Sequence, residues 1–204
     1  MRFTLSLIFG LTVVTILPAL ALPSASTNSA YETVKSVTDE LLVKLVEVQP
    51  LYENDKEKFF QEIDVSLAPF IDFGGFSRGV MAKYYRRASS EQKSQFAVRF
   101  RISLIRTYSK ALAEFDNQEI IVVQNNRPLK DPGKARVSLE VHRKDGSIYP
   151  IEYSLVWIDG KWMLRNIVIS GINIGLQFRS QFAASMQQYK NDIDKVIENW
   201  NVDV

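Results

Sequence analysis

The chain has 204 residues, 25 of them basic and 23 acidic, and this near balance, a net charge of +2, singles out no class of partner. It contains no cysteine, which excludes disulfides, thiolate metal sites, a cysteine nucleophile and a lipidated N-terminal cysteine. Its one histidine, His142, excludes a multi-histidine metal site and leaves a Ser-His-Asp triad barely possible.

The first residues address the compartment. Met1-Arg2 is a short basic start, Phe3 to Ile16 is an apolar run with a few Thr, Ser and Gly, Pro18 ends it, and Ala19-Leu20-Ala21 places small residues where a signal peptidase reads. Residues 1–21 are therefore expected to be a secretory signal peptide cleaved after Ala21; the run is shorter than the ~20 residues a spanning helix needs. The mature chain, residues 22–204, reads as a single domain with 24 basic and 23 acidic residues and no second apolar run of spanning length. Residues 22–30, small and polar, are expected to be a flexible start.

Tyr31 to Val48 carries Val34, Val37, Leu41, Leu42, Leu45 and Val48 at helical spacing, and Pro50 stops it. Lys56 to Leu67 is a second, shorter helix. A third is expected from a cap at Asp72 to Tyr85, weakened by Gly74 and Gly75. Ser89 and Gln92 form a capping box that opens the longest helix, to about Phe115. There the period changes from 3.6 to 2. Strands are expected over 119–124, 136–143, 147–158 and 161–169, with Asp145-Gly146 and Asp159-Gly160 as hairpin turns. Gly171 to Gly175 reads as a loop with Asn173 capping the next helix; two helices, 176–189 and 192–200, finish the chain. Helices segregated from an antiparallel meander give the α+β class: a curved four-stranded sheet with about six helices around an apolar hollow.

Few residues point to catalysis. His142 lies on the polar face of an alternating strand, with Arg136, Ser138 and Glu140. Asp72, between Ile71 and Phe73, reads first as a helix cap; a carboxylate in apolar surroundings can also serve as a general base. Residues 171–175 have neither the length nor the lysine of a nucleotide-binding loop. The apolar surface is in surplus. The long helix carries Phe96, Phe100, Leu104, Tyr108, Leu112 and Phe115, widened by Val98, Ile102 and Ile105, and the third strand is apolar on both faces. That surplus suits a cavity wall and equally a large filled core. Basic residues crowd 78–110, where Glu91 is the sole acid; Arg99, Arg106 and Lys110 share one helical face suited to an anionic headgroup or an acidic partner, or simply to solvent. Arg101 projects into the apolar arc and must be paired or snorkel. Export argues against a nucleic-acid partner.

Leu67-Ala68-Pro69-Phe70-Ile71-Asp72-Phe73, Tyr84-Tyr85-Arg86-Arg87-Ala88-Ser89-Ser90-Glu91-Gln92, Thr107-Tyr108-Ser109-Lys110-Ala111-Leu112, Asp159-Gly160-Lys161-Trp162, Ile169-Ser170-Gly171-Ile172-Asn173 and Phe178-Arg179-Ser180-Gln181-Phe182 stand in an order and spacing that resembles the MlaC, or toluene-tolerance, family over about residues 31–200. Asn166 stands where many members have Asp. The resemblance implies a periplasmic carrier of glycerophospholipids, with phospholipid as cargo and no cofactor, metal or catalytic residue. It implies exchange with an outer-membrane lipoprotein–porin complex and with an inner-membrane ABC transporter carrying an MCE-domain subunit, and hence a role in outer-membrane lipid asymmetry. A monomer is expected. The expected lipid-binding residues are Phe73, Val80, Met81, Tyr84, Phe100, Leu104, Ile105, Tyr108, Tyr153, Leu155, Trp157, Met163, Ile167, Ile169, Ile174, Phe178 and Phe182. Arg99, Arg101, Arg106 and Lys110 are the expected headgroup or partner contacts. The alternatives are an enzyme on a similar cone-shaped sheet with Asp72 as base, and an adaptor with a filled core.

Overall fold

The computed structural model describes residues 25–116, 118–125 and 128–200. The expected signal peptide, residues 1–21, lies outside the described residues. Helix α1 (Thr27–Val48) begins inside the stretch expected to be flexible, because Ser26 and Ser29 form a reciprocal capping box that satisfies the first backbone donors. A four-residue turn of helix, α2 (Leu51–Asn54), leads to α3 (Lys56–Leu67), capped by Asp55. Helix α4 (Phe73–Met81) is capped by Asp72, and the expected continuation to Tyr85 breaks at Ala82, whose φ of 49° and ψ of −119° cannot extend an α-helix. A 3-10 turn over Ala82–Arg86 follows, then α5 (Ser90–Ala113), opened by the Ser89–Gln92 box.

The sheet is a pure antiparallel meander in the order β1-β2-β3-β4-β5. Its strands are β1 (Glu119–Val123), β2 (Lys134–His142), β3 (Ile148–Ile158), β4 (Lys161–Ile169) and a two-residue β5 (Ile172–Asn173) within the expected loop. Asp159 and Gly160 both sit at positive φ, as the tight β3–β4 turn requires. Helix α6 (Ile174–Gln188) starts directly from Asn173, whose side chain accepts from Leu176 N–H, and α7 (Ile193–Glu198) closes the chain. The class is α+β, with one short strand and one short helix more than the sequence suggested.

The β3–β4 register holds one irregularity that shapes the interior. Ser154 pairs with Asn166 but Leu155 pairs with Leu164, so Arg165 is an extra residue and a β-bulge. Side chains alternate faces along a strand, and one extra residue shifts that alternation. Trp162 and Leu164 before the bulge, and Ile167 and Ile169 after it, consequently share the inner face. They stand opposite Trp157, Leu155, Tyr153 and Ile151 of β3. The bulge is held from outside the sheet. Leu164 N–H donates to Phe70 C=O at 2.7 Å, Asp72 N–H donates to Leu164 C=O at 2.9 Å, and Arg165 Nε donates to the Asp72 carboxylate at 2.8 Å. The neighbouring Asn166 accepts from Gly175 N–H at the start of α6.

Apolar packing falls into two clusters. The larger gathers Phe76, Phe96, Phe100, Phe178, Phe182, Met186 and Trp200 with the inner face of β2–β4. The smaller joins α1, α3 and α5 through Leu45, Val48, Phe59, Ile63, Ile105 and Ala113. Trp162 Nε1 donates to Ser29 Oγ at 2.9 Å and fastens the start of α1 to the sheet.

Gly74 and Gly75 should respond oppositely to alanine. A Cβ on Gly74 meets only Asp72 Oδ1, at an ordinary 3.7 Å, whereas one on Gly75 overlaps the Asp72 carboxylate and the Arg165 guanidinium. In urea unfolding, Gly74→Ala is expected to be neutral or to stabilise by about 0.5 kcal/mol, as alanine replaces glycine in a helix. Gly75→Ala is expected to destabilise by roughly 1–3 kcal/mol, because the half-buried charged hydrogen bond between Asp72 and Arg165 must be displaced.

Candidate functional site: an apolar cavity between two cores

The cavity runs along the seam between the two clusters, with a volume of about 480 Å³. That lies within the roughly 300–1,000 Å³ range of small-molecule pockets. Helix α1 contributes Val37, Thr38, Leu41, Leu42 and Leu45; the α3–α4 link contributes Leu67, Phe70 and Ile71; α5 contributes Leu104, Ile105, Tyr108, Ala111 and Leu112. The sheet supplies Ile120, Leu139, Val141, Tyr149, Ile151, Tyr153, Leu164, Ile167 and Ile169, and Ile174 opens α6 beside it. Of all the described lining residues only Glu114 and Arg143 are charged.

Burial identifies the closed end. Leu104, Ile71, Leu164 and Ile174 are all at most 5% exposed, while Tyr149 at the opposite end is 40% exposed. Lys144 and Asp116 form an ion pair of 2.5 Å that joins the β2–β3 hairpin to the segment after α5, so both edges of the mouth meet there. Helix α5 lines the cavity from Leu104 to Leu112, about 12 Å at ~1.5 Å per residue. Half of a ~30 Å bilayer core, the reach of one leaflet of acyl chains, is somewhat longer, about 15 Å.

Two phenols interrupt the greasy wall midway. Burial pushes the Tyr153 hydroxyl up to about 12 and raises that of Tyr108 also. Tyr153 keeps some accessible surface, but that surface faces the cavity rather than bulk water, which is why its anion is so disfavoured.

Of the lipid-binding residues expected from sequence, the structure brings Leu104, Ile105, Tyr108, Tyr153, Ile167, Ile169 and Ile174 together on this wall. Phe100, Leu155, Phe178 and Phe182 lie in the larger packed cluster. Trp157 packs edge-on against Trp162 at 5.1 Å, and Met163 pairs with Val156 on the other face of the strand. Phe73 lies under the Arg101 guanidinium, and Val80, Met81 and Tyr84 line a separate hollow of about 200 Å³ beside α6. The α1 wall and the mouth residues Glu114, Gln118, Arg143 and Tyr149 were not foreseen, although the breadth of the Leu41-Leu42-Leu45 stripe carried a signal for the first.

The basic residues of α5 are mostly engaged. Arg101 makes a two-pronged bond to Asp64, each prong 2.5 Å, and Arg106 reaches Glu57 at 2.8 Å. Both guanidiniums therefore clamp α3 to α5. Lys110 stands 3.7 Å from Glu114, and Arg99 is exposed. Asp72 is not part of the cavity lining; its carboxylate accepts from Gly75 N–H at 2.8 Å and from Arg165.

A family model described as MlaC protein matches residues 35–202. The chain is 38% identical to the toluene tolerance protein ttg2D of Pseudomonas putida over 91% of this chain and 86% of that one. It is 21% identical to the intermembrane phospholipid transport system binding protein MlaC of Haemophilus influenzae, over 72% and 70% respectively. Among solved structures, that of a phospholipid-binding protein from Ralstonia solanacearum in complex with a phospholipid superposes with a TM-score of 0.73 at 25% identity. It covers 84% of this chain and 98% of that one.

The buried phenol makes the fold sensitive to alkali. The folded state keeps Tyr153 neutral up to about pH 12, whereas an unfolded tyrosine ionises near 10. Stability is thus fully present below pH 10 and is lost between about 10 and 12, with a slope approaching 1.4 kcal/mol per pH unit from this group. Urea unfolding at pH 9 and pH 11 should show a smaller alkaline loss in Tyr153→Phe than in the parent chain.

Proposed function

The chain belongs to the MlaC family, and from that premise we propose that it is a periplasmic carrier that holds phospholipid tails in the cavity between its two cores. The observation that carries this reading is the match of shape and chemistry. The cavity is lined almost wholly by apolar side chains, closed at one end and open at the other. The Haemophilus relative is named for intermembrane phospholipid transport, and the Ralstonia structure contains a phospholipid, which supports the same cargo here. Among the described residues no helix is long and apolar enough to cross a membrane, in keeping with a carrier that travels through water.

The task follows from the hydrophobic effect. Two acyl chains of ordinary length carry roughly 28 methylenes, and exposing them costs on the order of 20 kcal/mol at ~0.8 kcal/mol each. A carrier offsets that cost by presenting dry wall. Ile151, Ile167 and Ile169 lack the full burial of the core, and in this reading tails supply the missing contacts. The protein works as a monomer, after cleavage of residues 1–21, with no cofactor beyond its cargo. It exchanges lipid with an MCE-domain subunit of an inner-membrane ABC transporter and with an outer-membrane lipoprotein–porin complex, and so maintains outer-membrane lipid asymmetry. Binding and release suffice for this work, and Asp72, bonded to Gly75 and Arg165 away from the cavity, has a purely structural task.

Filling the wall separates a cavity from a core. Ile151→Trp is expected to leave the melting temperature of stripped protein near that of the parent and to remove most bound phospholipid, measured by native mass spectrometry after reloading. Leu155→Trp, at a site only 1% exposed within the packed cluster, should instead lower the melting temperature of the stripped protein, with a cost of about 1–3 kcal/mol. Unchanged lipid content in both Ile151→Trp and Ile169→Trp would show that the tails lie elsewhere. Stripped protein must be compared with stripped, because bound lipid raises apparent stability by itself.

A further inference from the structure

The cavity mouth is dipolar. On one side stands Glu114, the C-cap residue of α5. A helix ends in unsatisfied carbonyls that carry partial negative charge, so a carboxylate there is of the sign that weakens the helix. Asp116 follows two residues later, already engaged by Lys144. On the other side stands Arg143, just beyond β2, its guanidinium 5.6 Å from the centre of the Tyr149 ring and donating to the Tyr149 hydroxyl at 3.3 Å. The bond to the Tyr149 hydroxyl raises the Arg143 pKa, ahead of the charges of Tyr149 and Asp145, and Glu114 adds least. Glu114 itself meets Lys110 at 3.7 Å, but both side chains are about two-thirds exposed, and such a contact is weak and readily exchanged.

The two charged groups of the lining thus have opposite signs and sit together at the open end of an otherwise uncharged cavity. Resting on the carrier reading above, we infer that this mouth seats a zwitterionic headgroup, with the phosphodiester on Arg143 and Tyr149 and the ammonium on Glu114 at the negative end of α5. A headgroup of phosphatidylethanolamine type satisfies both sides. An anionic headgroup such as phosphatidylglycerol satisfies Arg143 but leaves Glu114 with only its exposed contact to Lys110, and its hydroxyls gain less from the helix end. The carrier is therefore selective among headgroups, through a residue whose charge is a poor choice for helix stability.

The test uses the stripped mature protein and vesicles of equal parts phosphatidylethanolamine and phosphatidylglycerol with identical acyl chains. Bound lipid is identified by mass spectrometry and its total measured as phosphate. The parent chain is expected to take up the ethanolamine lipid in about threefold excess, the scale of one exposed charge contact, with the excess shrinking in high salt. Glu114→Lys should remove or reverse the excess. Its melting temperature should hold or rise, because lysine suits the end of α5. That combination distinguishes a headgroup contact from a structural one, which would lower stability together with binding. Arg143→Gln should weaken retention of both lipids. Uptake in the vesicle ratio by the parent chain, or an unchanged ratio in Glu114→Lys, would overturn the headgroup seat and leave the carrier intact. A folded protein that takes up neither lipid would instead overturn the carrier reading.

Discussion

At Arg165 the fourth strand carries one residue more than its partner, and the pleat changes sides there. Had Arg165 been paired in regular register, Asn166 and Val168 would take the inner face beside Trp162 and Leu164, and Ile167 and Ile169 would point away from it. The bulge survives because its neighbours outside the sheet use what it leaves over. Leu164 exchanges both backbone hydrogen bonds with the 70–72 segment, and the Arg165 side chain, pushed outward, ends on the carboxylate that also caps α4. Gly75 is the concession that lets these groups meet, since any side chain there would occupy the same space. Asn166 then fixes the start of α6. One irregularity in one strand thus positions two helices and turns an ordinary alternating strand into a continuous apolar wall.

The cavity is a boundary that packing leaves between two cores. The aromatic cluster around Phe96, Phe100, Phe178, Phe182 and Trp200 is dense, with ring centroids as close as 4.8 Å. The α1–α3–α5 cluster is held independently, and the Arg101–Asp64 and Arg106–Glu57 bonds fasten its helices on their outer side. Because each core is complete in itself, the seam between them can stay open without unfolding either. That arrangement separates the residues that give stability from those that face a guest.

The sequence disclosed the architecture well and the cavity only in part, for physical reasons. Capping boxes, Asp-Gly turns and the change of period are local signals, and the elements they predict are present with small shifts at their ends. The bulge has no such signal. Strict alternation back from Ile169 and Ile167 puts Met163 on the inner face, whereas Arg165 sends it to the other side, opposite Val156. Leu155, Phe178 and Phe182 are apolar and inward as expected, but a sequence does not show which inward residues meet another side chain and which meet space. Arg101 needed a partner, and only the fold reveals Asp64, 37 positions away. The mouth was missed because Glu114, at the end of α5, and Arg143, just beyond β2, read as ordinary surface charges until the fold brings both to the lining of one cavity.

Helix α1 forms one side of the cavity, yet almost everything it touches is made later in the chain. Its fastening point, Ser29 to Trp162, joins positions 133 residues apart. Contacts of such long range must close a large loop before they are rewarded, and they form late and slowly. The start of α1 can therefore dock only once the β3–β4 hairpin exists to receive it, whereas its other end, at Leu45 and Val48, packs on Phe59 and Ile63 of the nearby α3. The two ends of one helix thus close loops of very different length, and the wall between them is complete only when both are docked.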